Sequence, residues 1–219
     1  REVARLLERA KESGRHIIAV VGPAVVHTGA GPHLARLIER GYVTVLFGGN
    51  AVATHDAEAA LLGTSLGISL KEGTAIQGGH EHHLRAINTI RRCGNFAAAV
   101  EQGVLTQGIM YTLEKTGTPY VLAGSLRDDG PMPGVISDMM RAQAAMRPFC
   151  QQAGACLMLS SMLHSIATGN LLPASVHTVC VDINPAVVTK LADRGSFQAI
   201  GIVTDVGLFL EQLADVLGC

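Results

Sequence analysis

The chain has 219 residues, 48% of them hydrophobic and 16% charged, so it can bury a large core in one domain. Its formal net charge is −1, with 17 Lys and Arg against 18 Asp and Glu, and this balance argues against nucleic acid as a partner. No apolar run approaches the length that crosses a bilayer, and the amphipathic first segment is unlike a signal peptide, so we expect no membrane partner.

Short β-branched runs alternate with helical patterns after an amphipathic first helix. Strands are predicted over residues 16–21, 43–47, 119–123, 156–160, 177–182 and 199–203. Helices are predicted over 32–40, 50–62, 84–102, 105–115, 135–152, 185–194 and 205–217, with a loop or lid over 63–83. Runs such as IIAVV and TVCVDI are apolar on both faces, which is typical of a parallel sheet covered by helices on both sides. We therefore predict an α/β fold with a doubly wound, mainly parallel sheet of about six strands.

Ligands of an open parallel sheet bind at the carboxyl ends of its strands, so the residues after each predicted strand are the candidate site. The first strand leads to the segment HTGAG before a helix, where glycines let the backbone approach a phosphate. A turn with a helix cap is the alternative, since a single G-x-G is not the full dinucleotide fingerprint. A nucleotide role and a structural role stay equally open for this loop.

The second predicted strand runs into Gly48, Gly49, Asn50 and Ala51. Asn50 is a natural N-cap for the helix that follows, so a tight turn would explain the segment by itself. Two glycines ahead of the cap favour the second interpretation, in which a ligand lies against the turn and a side chain would collide with it.

The third predicted strand is followed by a charged cluster, Arg127, Asp128 and Asp129, and then by Gly130 and Pro131. An arginine can hold a carboxylate through two parallel hydrogen bonds, and an aspartate can hold an ammonium group or move a proton. A solvated turn is the alternative, because D-D-G-P is good turn chemistry. The position at a strand exit favours a functional role.

Ser161, Met162, Leu163 and His164 follow the fourth predicted strand. The Met-Leu pair suits the flank of a nicotinamide or adenine ring, and it suits the first turn of a core helix equally well. This segment is therefore a candidate cofactor contact with a structural alternative.

Acidic residues end the last two predicted strands. Asp182 suits the ribose hydroxyls of NAD, where it would repel the extra phosphate of NADP, and the alternative is a cap for the helix that starts at Pro185. Asp205 either caps the final helix or contacts the cofactor, and by itself it favours capping.

The segment GGHEHH resembles a metal site at first sight. His80, Glu81, His82 and His83 are too close together to bind one ion easily, and no cysteine or acidic partner follows at a recognised spacing. We expect no metal there, and a polar substrate loop or a pH-sensitive turn is the better interpretation.

Five cysteines without a C-x-x-C pair predict reduced thiols in a cytoplasmic protein.

The chain starts at Arg1 inside a helical pattern, so we expect residues 1–219 to be one NAD-binding domain of a longer protein with a preceding domain.

Three stretches together carry a family resemblance: GPAVVHTGAGPHLARLIERGYVTVLFGGNAVATHDAE, GGHEHHLRAIN and SLRDDGPMPGV. They are similar to the archaeal and cyanobacterial type of ornithine cyclodeaminase, formerly labelled the LOR/SDH conserved region, over nearly the whole chain. The resemblance implies a Rossmann-like domain of the deoxyhypusine-synthase-like NAD-binding fold, with NAD as cofactor. The implied NAD contacts are Asn50, Ala51, Asp129, Ser161, Met162, Leu163, His164, Asp182, Asp205 and Val206.

The reaction implied by this resemblance converts L-ornithine to L-proline and ammonia without net oxidation. We also expect the protein to be a homo-oligomer. The reaction needs a carboxylate clamp, for which Arg127 and Arg85 are candidates. It also needs an acid/base group, for which Asp128 or Asp129 is the first candidate, with His80 or His82 behind them. An NAD-dependent amino-acid dehydrogenase and a non-catalytic NAD-sensing module are the alternatives.

Overall fold

The computed structural model describes residues 1–128, 130–194 and 199–219. In chain order the elements are α1 (Glu2–Glu12), β1 (His16–Val21), α2 (Ala24–His27), α3 (Gly31–Glu39), β2 (Val45–Gly49), α4 (Asn50–Leu62), β3 (Thr64–Ser65), β4 (Ile68–Ser69), a 3₁₀ turn (Gly79–Glu81), α5 (His82–Cys93), α6 (Phe96–Glu101), α7 (Ile109–Thr116), β5 (Tyr120–Ala123), α8 (Met139–Gln151), β6 (Ala153–Leu159), α9 (Leu163–Gly169), β7 (His177–Asp182), α10 (Pro185–Arg194), β8 (Ala199–Val203) and α11 (Val206–Val216). Helices separate the longer strands along the chain, as the sequence predicts.

Six strands form one parallel sheet in the order β5-β2-β1-β6-β7-β8. Strand β1 is central, and its Val20 lies opposite Phe47 of β2 on one side and Met158 of β6 on the other. The chain runs outward from β1 through β2 to β5, then crosses to β6 and runs outward again. The predicted doubly wound, six-stranded parallel sheet is confirmed, and its topological switch point lies between β1 and β6.

Helices cover both faces of the sheet, which explains why the strands are apolar throughout. Ile17 of β1 belongs to a core layer with Leu34 of α3, while the next residue, Ile18, belongs to the opposite layer with Met146 of α8. All four side chains are buried, because successive residues of a strand point to opposite faces and neither face meets water.

Several element boundaries differ from the prediction. Strand β2 continues through both glycines, and β6 begins at Ala153 rather than at 156. The helix predicted over 84–102 is two helices, because Gly94 has a φ of 105° and Asn95 caps α6 by accepting a 2.8 Å hydrogen bond from the N–H of Ala98. The helix predicted to begin at residue 135 begins instead at Met139, because the side chain of Asp138 caps it by accepting hydrogen bonds from two backbone N–H groups.

The segment predicted as a loop or lid, 63–83, contains a small hairpin. Strands β3 and β4 pair antiparallel around a two-residue turn in which Leu66 and Gly67 both have positive φ, 55° and 72°. This is the type I′ geometry that matches the twist of a short hairpin. Only one of the two turn residues is a glycine, so the sequence pattern did not reveal the turn.

Candidate functional site

A cleft of about 730 Å³ opens at the carboxyl edge of the sheet, where the exits of β1, β2, β5 and β6 meet. Its lining residues are Val21, Gly22, Pro23, Gly49, Asn50, Ala51, Val52, Thr54, His55, His83, Ile87, Ser125, Arg127, Asp128, Ser160, Ser161, Met162, Leu163 and His164. Residues after four of the strands therefore share one cleft, although they are far apart in sequence.

The cleft does not include every candidate residue. His80 lies on the 3₁₀ turn with 82% of its side chain exposed, and it is absent from the lining. Asp182, Asp205 and Val206 also lie outside the lining, at the carboxyl ends of β7 and β8 on the same sheet edge. Asp129 lies outside the described residues.

The exits of β1 and β6 touch backbone to backbone at the switch point. A Cβ atom on Gly22 would lie 1.8 Å from the carbonyl oxygen of Ser160, so no other residue fits there without a shift of the chain. Ser160 has a φ of 47°, in the left-handed region, and its N–H donates a 2.8 Å hydrogen bond to the carbonyl of Val181. Left-handed non-glycine residues concentrate at functional sites, because the surrounding structure must hold them. Sequence reasoning missed this pair, and its only signal was a glycine directly after a strand.

Helix α4 begins inside the cleft with Gly49 as its N-cap, and no side chain of the described residues caps it. The prediction that Asn50 could serve as the N-cap is wrong, because Asn50 is the first helical residue. Its side chain is buried, and its Oδ1 accepts a 2.8 Å hydrogen bond from the N–H of Met132 in the loop after β5. The first N–H groups of α4 thus stay available at the cleft, where the helix dipole favours an anion.

Of the two glycines at the end of β2, only the second, Gly49, lies in a crowded place. A Cβ atom on Gly49 would lie 3.0 Å from Cε1 of His164, whereas one on Gly48 would make only contacts of 3.6–3.7 Å. Nε2 of His164 in turn lies 3.2 Å from the carbonyl oxygen of Ala123 at the end of β5. The residue that approaches Gly49 is therefore His164, which joins the exits of β2, β5 and β6.

The loop after β5 is closed by its own aspartate. The Asp128 carboxylate accepts hydrogen bonds from the N–H of Ser125 at 2.8 Å and from its hydroxyl at 3.2 Å. Arg127 is exposed at the cleft, and its guanidinium has no hydrogen-bond or ion-pair partner among the residues that the structure describes. The loop therefore presents a positive charge to the cleft and uses Asp128 to hold its shape.

A buried polar network lies behind the cleft wall formed by α4. Glu58 is fully buried and accepts hydrogen bonds from Nδ1 of His55 at 2.9 Å and from Thr64, whose hydroxyl also meets Nδ1 of His82. The ring of His27 packs edge-on against that of His55 at 4.8 Å. Burial and the neighbouring His55 lower the pKa of His27, which disfavours the protonated imidazole. No motif in the sequence indicated this network.

The acidic residues after β7 and β8 have different local roles. Oδ1 of Asp182 accepts from the N–H of Asn184, and Oδ1 of Asn184 accepts from the N–H of Ala186, so Asn184 and not Asp182 caps α10. Asp205 caps α11 by accepting a 2.9 Å hydrogen bond from Leu208, as the sequence favoured. Asp182 therefore has one carboxylate oxygen without a backbone partner among the described residues.

The HTGAG loop after β1 does not line the cleft. His27, Thr28 and Gly29 instead border a separate pocket of about 220 Å³ that is closed by the β3–β4 hairpin. Within the described part of the chain no three His, Cys, Asp or Glu side chains are placed to hold one metal ion. None of the helices in the described ranges combines the length and the hydrophobicity that crossing a bilayer requires.

One buried carboxylate predicts a pH-dependent stability. Asp56 on α4 accepts 2.8 Å hydrogen bonds from the N–H groups of Ile109 and Met110, and burial raises its pKa from 3.8 to about 6 against the opposing effect of those bonds. Because the folded pKa is raised, the folded chain binds more protons than the unfolded chain between these values, and this group's contribution to stability grows as the pH falls. Asp56→Asn removes the titration.

We therefore expect the stability difference between wild type and Asp56→Asn to move by about 2 kcal/mol in favour of wild type between about pH 7 and pH 4. Urea unfolding of both proteins at the two pH values measures this change. An equal difference at both values would show that Asp56 has an ordinary pKa.

Comparison with known proteins supports a family assignment. The family model described as arginine dihydrolase ArgZ-like, C-terminal, Rossmann fold, matches residues 1–213. The protein named ornithine cyclodeaminase from Methanocaldococcus jannaschii is 60% identical over 218 residues, which cover 99% of this chain and 52% of that protein. The chain thus spans about half the length of this curated relative.

Comparison with solved structures supports the same family assignment. AgrE, the bifunctional arginine dihydrolase/ornithine cyclodeaminase of Nostoc sp., is 53% identical over 216 residues, which cover 99% of this chain and 31% of that protein. Its ternary complex with ornithine and NAD⁺ matches with a TM-score of 0.94 over 99% of this chain and 32% of that chain. A protein named deoxyhypusine synthase from Entamoeba histolytica, 11% identical, has a TM-score of 0.58 over 92% of this chain and 74% of that chain, so it shares the fold alone.

Proposed function

The chain belongs to the family of ArgZ-like C-terminal Rossmann-fold domains, and from this premise we propose that it is the NAD-binding catalytic domain of an ornithine cyclodeaminase. The observation that carries the proposal is the cleft at the switch point, where Asn50, Ala51 and the segment 161–164 line one space. Relatives about twice as long as this chain or longer are named for that activity, and one was solved with both ornithine and NAD⁺.

The residues present suit NAD. Dinucleotides bind across the switch point of a doubly wound sheet, and the uncapped start of α4 offers backbone N–H groups to a pyrophosphate there. Thr54 adds a buried hydroxyl that borders the cleft and has no hydrogen-bond partner among the described residues. An unpartnered buried hydroxyl costs free energy unless a ligand uses it, so a polar ligand in this cleft explains it.

Each segment of the cleft has a task in this proposal. Bound NAD⁺ supplies an acceptor for the hydride on the α-carbon of ornithine and returns that hydride to the cyclised product, so the reaction has no net oxidation. Arg127 binds the substrate carboxylate, because it is the guanidinium that the described cleft residues leave without a partner. Met162 and Leu163, 40% and 70% exposed, provide apolar surface for a ring of the cofactor.

The strand exits beyond the cleft suit the ribose end of the cofactor. Asp182 follows directly on Val181, whose carbonyl accepts from Ser160 at the cleft, and the Asp182 carbonyl accepts a 3.1 Å hydrogen bond from Thr204 beside Asp205. Asp182 contacts the ribose hydroxyls in this proposal, and Asp205 and Val206 lie next along the edge. The NAD contact proposed for Asp129 and the acid/base role proposed for His80 are based on the sequence alone.

The ribose role proposed for Asp182 predicts a preference for NAD over NADP. We expect NAD to bind at least tenfold more tightly than NADP, and Asp182→Ala to weaken NAD binding by about 1–2 kcal/mol while the difference between the cofactors shrinks. Titration calorimetry of both proteins with both cofactors measures this. Equal affinity of wild type for NAD and NADP would remove the ribose role.

The whole proposal is tested with the full-length protein, L-ornithine and NAD⁺. Formation of proline and ammonia in equal amounts, with no accumulation of reduced cofactor, supports a cyclodeaminase. Accumulation of reduced cofactor with lysine, saccharopine or another amino acid would instead identify a dehydrogenase. Bound NAD without turnover of any amino acid would identify a regulatory module. Sedimentation of the same sample tests the expected homo-oligomer, and the expected cytoplasmic location stays a prediction from the thiols.

A further inference from the structure

The cyclisation needs a group that takes and returns a proton, and the sequence candidates are poorly placed for it. Asp128 uses its carboxylate to close its own loop, and His80 is exposed to solvent and does not line the cleft. Three other histidines line the cleft: His55, His83 and His164, the last of which contacts the carbonyl oxygen of Ala123. Nδ1 of His55 lies 2.9 Å from the carboxylate of the buried Glu58, which is the arrangement that orients a catalytic imidazole.

We propose that His55 is the acid/base residue of this cleft and that the buried Glu58 is the positioning residue that sets its tautomer. The proposal rests on the proposed function, because it assigns a role in that reaction. It goes beyond the family resemblance, which implied neither residue.

The position of His55 combines access with restraint. It lies on α4, the helix whose first residues line the cleft, and only 12% of its side chain is exposed. Nδ1 is engaged by Glu58 at 2.9 Å, and the ring is held edge-on by His27 at 4.8 Å. Among the described residues Nε2 has no hydrogen-bond partner, so it is the ring nitrogen left for a ligand.

Glu58 is able to impose the tautomer because it is an acceptor only. Its side chain is fully buried, and it accepts hydrogen bonds from Thr64 and from the N–H groups of Leu66 and Gly67 as well as from His55. Burial by itself raises the pKa of Glu58, but these hydrogen bonds outweigh it and lower the pKa below its ordinary value. An ionised Glu58 requires a proton on Nδ1 of His55, so a neutral His55 has its lone pair on Nε2.

The proposed proton transfers balance over the reaction. Nε2 accepts a proton from the α-ammonium of ornithine, the α-carbon loses its hydrogen as hydride to the nicotinamide cofactor, and the α-nitrogen becomes an iminium. The δ-ammonium loses a proton to solvent, its nitrogen adds to the α-carbon, and the new ring nitrogen loses a second proton to solvent. The His55 imidazolium then protonates the α-nitrogen, which leaves as ammonia, and the ring iminium regains the hydride. Solvent returns its two protons to proline and ammonia.

The charge of Glu58 also stabilises the imidazolium that forms in the middle of this sequence. Nδ1 of His55 and Oε2 of Glu58 are 2.9 Å apart and the Glu58 side chain is fully buried, so this contact is stronger than it would be at the surface. Removing the charge while keeping the shape should therefore lower kcat without a matching change in the KM for ornithine. This consequence distinguishes positioning from a merely structural role.

The test compares His55→Asn, Glu58→Gln and the matched control His177→Asn in the full-length protein. Asparagine keeps an N–H donor for Glu58 but has no ring nitrogen to titrate, and His177 is an exposed residue at the opposite, amino end of β7. We expect His55→Asn to lower kcat by about 10²–10⁴-fold, with the Kd for NAD changed less than about threefold. His177→Asn should leave both unchanged.

Glu58→Gln should lower kcat by about tenfold or more while the KM for ornithine and the Kd for NAD change less than about threefold, since the imidazolium that forms during turnover loses its counter-charge. If this variant does not fold, Glu58→Asp, which draws the carboxylate away from His55, is used instead, and kcat should fall in the same way. Near-normal kcat in His55→Asn, or in a folded Glu58 variant, would overturn the proposal.

A readout without turnover separates this inference from the proposed function. Nitrogen-15 NMR of the wild-type chain, with His55→Asn to assign the signal, reports which ring nitrogen carries the proton. The expected result is that the neutral imidazole carries its proton on Nδ1. Protonation of Nε2 would sink the inference whatever the substrate is, whereas an Nδ1 proton in a protein that makes no proline would leave the positioning intact and remove the ornithine reaction.

Discussion

Gly22→Ala should lower the free energy of unfolding by about 3 kcal/mol, a large effect for one added methyl group. The new Cβ would lie 1.8 Å from the carbonyl oxygen of Ser160, and both partners are backbone, so neither can rotate away. The exits of β1 and β6 would have to separate at the switch point. We expect the melting temperature to fall by roughly 6–12 °C, as followed by circular dichroism, and NAD affinity to fall with it.

Gly48→Ala is the matched control for this prediction. It is the same substitution at a strand exit of the same sheet, but its Cβ would make only ordinary contacts with Leu46, Leu122 and Val21, none closer than 3.6 Å. Its melting temperature should stay within a few degrees of wild type. Similar losses in both variants would mean that the close approach between Gly22 and Ser160 is not what limits this site.

Gly49→Val should weaken NAD binding by at least about 100-fold while the fold survives. The added side chain meets Cε1 of His164 at 3.0 Å, and an imidazole ring can rotate, in contrast to the backbone that faces Gly22. Displacing His164 breaks its contact with the carbonyl of Ala123 and moves the 161–164 segment that we propose for the cofactor. A loss of this size corresponds to roughly 2.7 kcal/mol of binding free energy.

Titration calorimetry with NAD⁺ measures this effect, and far-ultraviolet circular dichroism checks the fold. Gly48→Ala again serves as the control, because its neighbours tolerate a Cβ and it lies next to Gly49 in β2. Should Gly49→Val lose its melting transition while the remaining folded protein binds NAD⁺ normally, the turn has a structural role and the proposed cofactor position is wrong.

Much of the fold is predictable because it depends on short-range patterns. Strands β1, β7 and β8 and helix α4 have the predicted bounds, since an apolar run or a helical period ends abruptly at a turn residue in each. The boundaries that differ are set by side chains acting a few residues away, such as the capping by Asn95 that divides the helix predicted over 84–102. The hairpin of 64–69 was missed because Leu66 adopts a positive φ that its side chain does not favour.

The candidate site was predictable only in part. Asn50, Arg127 and the segment 161–164 were chosen because they follow strands, and they do share the cleft. His55 and Glu58 were not chosen, because they lie within a helix and nothing in their local pattern separates them from surface residues. His80 was chosen from a histidine-rich segment, yet its side chain is exposed, since the 3₁₀ turn directs it outward.

The sequence by itself determined the class of fold, the positions of the strand exits and the family, because each depends on periodicity, turn residues or long matching segments. Only the tertiary structure decided which exits meet. The order β5-β2-β1-β6-β7-β8 brings residues 49–55, 125–128 and 160–164 to one cleft and leaves Asp182 and Asp205 farther along the edge. Strand order results from pairing between segments distant in the chain, which no local pattern encodes. For the same reason, the contact of Gly22 with Ser160 and the carboxylate behind His55 became visible only in the folded chain.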